Sequence, residues 1–124
     1  QLYLQNGNWA GEQILPPDWV DFITMPAPAQ PEGDFGYGGS FWLLGGVDGV
    51  PEDTYAGLGN RGQYLIIIPS RELVIVRRGF DVAGGERFDI GRLTRDIVAA
   101  FDAAEQERLA AELAAAEAAG AEED

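Results

Sequence analysis

Two apolar runs, Gln63-Tyr64-Leu65-Ile66-Ile67-Ile68 and Leu73-Val74-Ile75-Val76-Arg77, flank the four residues Pro69-Ser70-Arg71-Glu72. β-Branched residues in short runs around a compact Pro/Ser loop predict a β-hairpin. The runs are nearly continuous rather than alternating, so both faces of the strands are expected to be buried. An antiparallel sheet covered on both faces needs helices on each side. Ile90, Leu93, Ile97, Val98 and Phe101 fall at i, i+3, i+7, i+8 and i+11, the stripe of an amphipathic helix, with Asp89 placed to cap it.

The remaining elements follow from weaker signals. Pro16-Pro17-Asp18 reads as a helix start, and Trp19, Val20, Phe22 and Ile23 give a short amphipathic helix over 17–25. Pro26, Pro28 and Pro31 end it and open a loop to about Asp34. The segment from Gly36 to Leu44 reads as one strand whose glycines imply close backbone approach. A weaker strand covers Thr54 to Leu58. The expectation is an α/β chain of the α+β kind, with an antiparallel sheet of about three strands and flanking helices. From Ala103 to Ala119 the sequence is mostly Ala and Glu, good helix formers with only Leu109 and Leu113 as a core stripe. This predicts an exposed helical extension ended by Gly120, and a division into a body, 1–101, and a helical, partly disordered acidic tail, 102–124.

Composition narrows the chemistry. All eight basic residues are Arg; there is no Lys, His or Cys, and Ser occurs only at 40 and 70. A Cys or His nucleophile, a His or Lys base and a Cys/His metal cage are therefore excluded within this chain. The net charge of −13 and a pI near 4.1 argue against nucleic acid as a partner. Residues 102–124 hold eight acids and one Arg, so more than half of that charge belongs to the tail. No window reaches the ~18 apolar residues that would span a bilayer. Gln1-Leu2-Tyr3-Leu4 lacks the basic flank and cleavage site of a signal peptide. Leu2 and Leu4 before Asn6-Gly7-Asn8 read instead as a helix end, which implies the C-terminal part of something longer; a processed mature N-terminus is the alternative.

Gly57-Leu58-Gly59-Asn60-Arg61-Gly62 matches G-x-G-x-x-G, but a dinucleotide site needs a helix to follow, and the sequence that follows reads as a strand. Asp48, Glu52 and Asp53 lack the alternating spacing of a Ca²⁺ loop and read as a solvated turn, so no cofactor or metal is expected. Ser40 lacks the second Gly of a nucleophile elbow, and Ser70 sits where a hairpin turn commonly places Ser. Arg77-Arg78 reads as surface charge at a strand end.

The order of the motifs resembles a known superfamily. Gln1 to Gly7, Trp9-Ala10-Gly11-Glu12-Gln13-Ile14-Leu15-Pro16, Trp19-Val20 and Phe35-Gly36-Tyr37-Gly38 are similar to a segment of the serine β-lactamase-like hydrolases. Ala56 to Tyr64 with Ile68 to Val76 resembles the closing segment of that group, closest to its 6-aminohexanoate hydrolase and esterase branch. The superfamily also includes class C β-lactamases and D-alanyl-D-alanine carboxypeptidases. The resemblance covers about residues 1–80. It implies the C-terminal part of the β-lactamase/transpeptidase-like fold and an acyl-enzyme mechanism on an amide, ester or β-lactam. The nucleophilic Ser and Lys of S-x-x-K and the Tyr of Y-x-N would lie upstream.

By order, Gly57, Leu58 and Gly59 take the place of the third motif, K-T-G, without the basic or hydroxyl residue usual at its first two positions. Asn60 would offer its main-chain N–H to an oxyanion hole, and Arg61 would lie against substrate. The chain alone is then expected to be inactive. Bacterial periplasm or cell envelope is the implied location, although cytoplasmic members exist; oligomeric state stays open. A non-enzymatic β-rich binding module with an acidic helical tail is the alternative.

Overall fold

In the computed structural model, which describes residues 1–122, the hairpin forms as expected. It consists of β6 (Gln63–Ile68) and β7 (Leu73–Arg78), in register from Gln63 opposite Arg78 to Ile68 opposite Leu73. Pro69–Arg71 make a tight 3₁₀ turn that Glu72 closes at φ 48°. The turn is tied down by Asp53, whose carboxylate accepts from the Ser70 N–H (2.6 Å) and from Ser70 Oγ (2.8 Å).

The sheet is larger than the three strands expected. β3 (Gly36–Tyr37), β4 (Trp42–Leu43) and β5 (Tyr55–Leu58) join the hairpin in a five-stranded antiparallel sheet of order β3-β4-β5-β6-β7. The segment expected as one strand from Gly36 to Leu44 is two, separated by a turn through Gly38–Phe41. The cause is tertiary. α1 (Trp19–Thr24) ends against this segment, and the Gly39 N–H donates to Ile23 O at 2.7 Å. A Cβ on Gly38 would lie 2.2 Å from Ile23 O. The close approach that the glycines imply is therefore real, and it bends the strand instead of extending it. Residues 8–13 form a second small sheet from β1 (Asn8–Trp9) and β2 (Glu12–Gln13). Before it, Gly7 N–H donates to Leu2 O and Asn6 N–H to Tyr3 O, with Asn6 at φ 50°, the bonding pattern of a helix C-terminus.

Strand alternation sorts the core into two layers. Ala56, Ile66, Ile68 and Ile75 face α2 (Ile90–Glu122) and pack with Leu44, Val50, Ile90 and Val98. On the opposite face Tyr55 and Ile67 pack with Val20 and Ile23 of α1, flanked by Tyr3, Phe41 and Leu43. Each fully buried Ile contributes about 1.5–3 kcal/mol of transfer free energy. Burial on both faces holds only at the Ile66–Ile68 end. At the other end the cross-strand pair Leu65 and Val76 stays 40% and 66% exposed. Among the described residues one short helix, α1, lies on that face, and it does not cover them.

Asp89 caps α2 as its sequence predicts, accepting the Arg92 N–H at 2.8 Å. The helix packs on the sheet through its first three turns and then leaves it. From Ala103 to Ala121 the side chains are exposed, Glu105 partly excepted. Gly120 does not end the helix, which continues to Glu122. A glycine costs about 1 kcal/mol relative to Ala in a helix, and the Ala-rich turns before it outweigh that. Arg108 bridges Glu105 (2.8 Å) and Glu112 (2.6 Å) on the exposed extension. Of the expected acidic tail, Glu123 and Asp124 lie outside the described residues.

Candidate functional site

β5 and β6 are joined by the glycine-rich turn singled out by its sequence. Gly59 is extended (φ −96°, ψ 173°), and its N–H donates to Gln63 O at 2.7 Å. Arg61 (φ 57°) and Gly62 (φ 79°) are both left-handed, and the Gln63 N–H donates back to Asn60 O. Two successive left-handed residues are what a tight hairpin turn needs if it is to follow the strand twist. The chain then enters β6 and no helix follows, so G-x-G-x-x-G here is a hairpin turn and not a dinucleotide-binding helix start.

β4 is short and, on its β5 side, pairs only with Tyr55 and Ala56. Gly57 and Leu58 consequently have β6 as their one strand neighbour among the described residues, and their other backbone edge is open. Gly57 has nothing within 4 Å of where a Cβ would be, and it shares parity with the exposed Leu65 and Val76. Leu58 points the other way, packing at the border of the α2 layer. Asn60 and Arg61 are exposed, and no turn or loop hydrogen bond among the described residues engages the Asn60 N–H.

Two clefts open around this turn. One, of about 350 Å³, is lined by Asn60, Arg61, Tyr64, Asp81, Arg87 and Phe88 among others. The second, of about 400 Å³, lies across Tyr64 and Phe88 and is lined by Leu58, Trp42, Phe35 and the carboxylates Glu32, Asp34 and Asp89. The sequence-derived residues are thus brought together along one stretch of backbone but divide between the clefts. Asn60 and Arg61 line the first, Leu58 the second, and Gly57 and Gly59 neither.

What the sequence reading missed is the group that holds the turn. Arg77 is not surface charge. Its guanidinium makes a bidentate pair with Asp81 (2.8 and 3.1 Å), donates to Gly62 O (2.8 Å) and lies 3.7 Å from the Phe88 ring centroid and 5.4 Å from that of Tyr64. The Asp81 hydrogen bonds raise its pKa further above the ordinary guanidinium value. A usable signal was present: Arg77 shares parity with Leu73 and Ile75, so β7 must turn it toward the covered face, where a cation needs a partner. Arg61 rests over the exposed Phe80 ring at 4.9 Å. On the opposite layer, burial pushes the Tyr55 hydroxyl up to about 12, helped by Tyr3 and Asp53.

Ser70 is engaged by Asp53, and Ser40 lies in the Gly38–Phe41 turn at φ 68°. The chain has no His or Lys to serve either as a base, and the Asp53 carboxylate that Ser70 Oγ contacts also accepts the Ser70 N–H. Among the described residues no three His, Cys, Asp or Glu side chains converge to hold a metal ion, and no helix is long and apolar enough to cross a membrane. No protein-family model matches the chain, and no curated protein is similar to it at a significant level.

Proposed function

We propose that this chain is the C-terminal portion of a serine hydrolase of the β-lactamase-like superfamily, acting through an acyl-enzyme on an amide, ester or β-lactam. The observation that carries the reading is the open backbone edge at Gly57–Leu58, which runs directly into Gly59 and the unengaged Asn60 N–H. An extended substrate segment can lie along such an edge, and a fixed main-chain N–H at its end can stabilise a developing oxyanion. One donor of that kind contributes about 2.7–4 kcal/mol, or 10²–10³ in kcat. The small residues at 57 and 59 let substrate come close to the backbone. Gly57 and Leu58 offer no cation or hydroxyl, so recognition of a penicillin-type carboxylate is weakened and esters and short amides are favoured. The nucleophilic Ser and its Lys base would come from chain preceding residue 1, and residues 1–124 alone would not turn over substrate.

The test uses the chain expressed together with the coding sequence that precedes it. A Cβ at Gly59 would meet Gln63 O at 3.0 Å and Gln63 Cβ at 3.2 Å, both at the base of the turn. Gly59→Val is expected to lower kcat by about 10²-fold or more, in line with loss of one oxyanion donor. Asn60→Ala keeps the main-chain N–H and is expected to stay within about threefold of wild type. Intact turnover in Gly59→Val would contradict this placement of the site. The binding-module alternative is favoured by one feature, the core that this chain builds on both sheet faces at Ile66–Ile68. Finding no S-x-x-K in the preceding sequence would select it.

A further inference from the structure

We infer that Arg77 is a positioning residue that fixes the Gly59–Gly62 turn, and with it the Asn60 N–H, by clasping the turn to the loop that follows β7. The consequence for catalysis rests on the hydrolase reading above; the mechanical coupling does not.

Four contacts meet on one planar group. The guanidinium pairs with both Asp81 oxygens, donates to Gly62 O and stacks on Phe88. The two backbones are joined as well: the Gly79 N–H donates to Gly62 O (3.1 Å) and the Asp81 N–H to Arg61 O (3.0 Å). The Gln63 side-chain amide donates to Gly79 O. Gly62 is buried, and a Cβ there would fall 2.0 Å from Arg77 Nη1 and 2.2 Å from Asp81 Oδ2, so turn and clasp are built around each other. Asn60 is two residues from the clasped carbonyl, and its own carbonyl is bonded within the turn. A fork of fixed geometry suits this task, because it holds a carboxylate and a carbonyl at once and lies flat on a ring. Lys carries the charge without the fork. A displacement of about 1 Å in a catalytic donor costs on the order of 10²-fold in rate.

Two measurements test the inference. In the 124-residue chain, Arg77→Lys and Asp81→Asn are each expected to speed amide hydrogen exchange at least about tenfold at Gln63, whose N–H closes the turn on Asn60 O, and at Gly79 and Asp81, whose N–H groups hold the turn to the loop. The amides of Ile66 and Ile67, at the far end of the hairpin, should keep their protection and serve as the control for folding. In the chain extended by its preceding sequence, the same variants should lower kcat about 10–100-fold with KM within about threefold, and Arg77→Lys should not rescue. Unchanged exchange at Gln63, Gly79 and Asp81 would overturn the clasp. Faster exchange with unchanged kcat in an enzyme that is active as wild type would overturn the positioning role. An extended wild-type protein that takes no acylating probe would overturn the hydrolase reading, and the catalytic role of Arg77 with it, whatever the exchange shows.

Discussion

Gly62→Ala and Gly84→Ala form a matched pair that separates backbone strain from interlocked packing. Both glycines are left-handed, at φ 79° and 76°. An L-residue in that region costs about 1–2 kcal/mol, so both variants carry this penalty. They differ in what the new methyl meets. At Gly84 nothing lies within 4 Å, whereas at Gly62 the methyl would overlap Arg77 Nη1 and Asp81 Oδ2. The guanidinium cannot remain against Gly62 O once the methyl is present, and the Asp81 pair must move with it. With an unfolding entropy of about 2.1 cal/mol/K per residue over 124 residues, each kcal/mol shifts Tm by about 4 °C. Gly84→Ala should therefore lower Tm by about 4–8 °C, and Gly62→Ala by more than about 8 °C. Thermal unfolding followed by far-UV circular dichroism gives both values. Equal losses in the two variants would refute the interlock, since only the shared backbone penalty would then be acting.

Other expectations follow from burial and ionisation. Ile66 is fully buried under α2, so Ile66→Ala should cost about 2–5 kcal/mol in urea unfolding, whereas Val76→Thr, on the exposed part of the sheet, should stay within about 0.5 kcal/mol. The Tyr55 hydroxyl is buried with no hydrogen-bond partner among the described residues, so Tyr55→Phe should raise stability by about 1 kcal/mol. Because the folded-state pKa of Tyr55 is raised, its contribution is fully present below the ordinary tyrosine value of about 10 and is lost as pH rises through about 12. Tyr55→Phe should blunt that alkaline loss in urea midpoints measured across this range. The Arg71 hydrogen bonds hold the Asp102 carboxyl below its ordinary value, with partial burial acting against them. Its contribution is present above the ordinary carboxylate range and lost as pH falls through the depressed folded value. Asp102→Asn should thus lower the urea midpoint at neutral pH and converge with wild type in strong acid.

The parts of the fold legible in the sequence are those set by local pattern. The hairpin follows from two β-branched runs and a turn that cannot extend either, and the start of α2 from Asp89 and a 3.6-residue stripe. What escaped detection depends on distant partners. Nothing near Gly38 says that Ile23 O will press on it, so the split of the Gly36–Leu44 segment into β3 and β4 is invisible locally. Leu65 and Val76 have the composition of core residues, and only the shortness of α1 leaves them uncovered. Arg77 reads as surface charge unless its parity with Ile75 is followed, and Asp53 as a solvated turn acid until the hairpin brings Ser70 to it. The turn at Gly57–Gly62 was legible as a turn. Its open edge depends on β4 starting only at Trp42, a consequence of that same missed bend.

The most direct test is covalent. The chain, expressed with the coding sequence that precedes it, is treated with a fluorophosphonate, and the intact mass is measured before and after. The hydrolase account predicts one phosphonyl adduct per chain, on a Ser of an S-x-x-K motif outside residues 1–124, and none on the 124-residue chain alone. An adduct on Ser40 or Ser70, or no adduct on the extended chain, would contradict it.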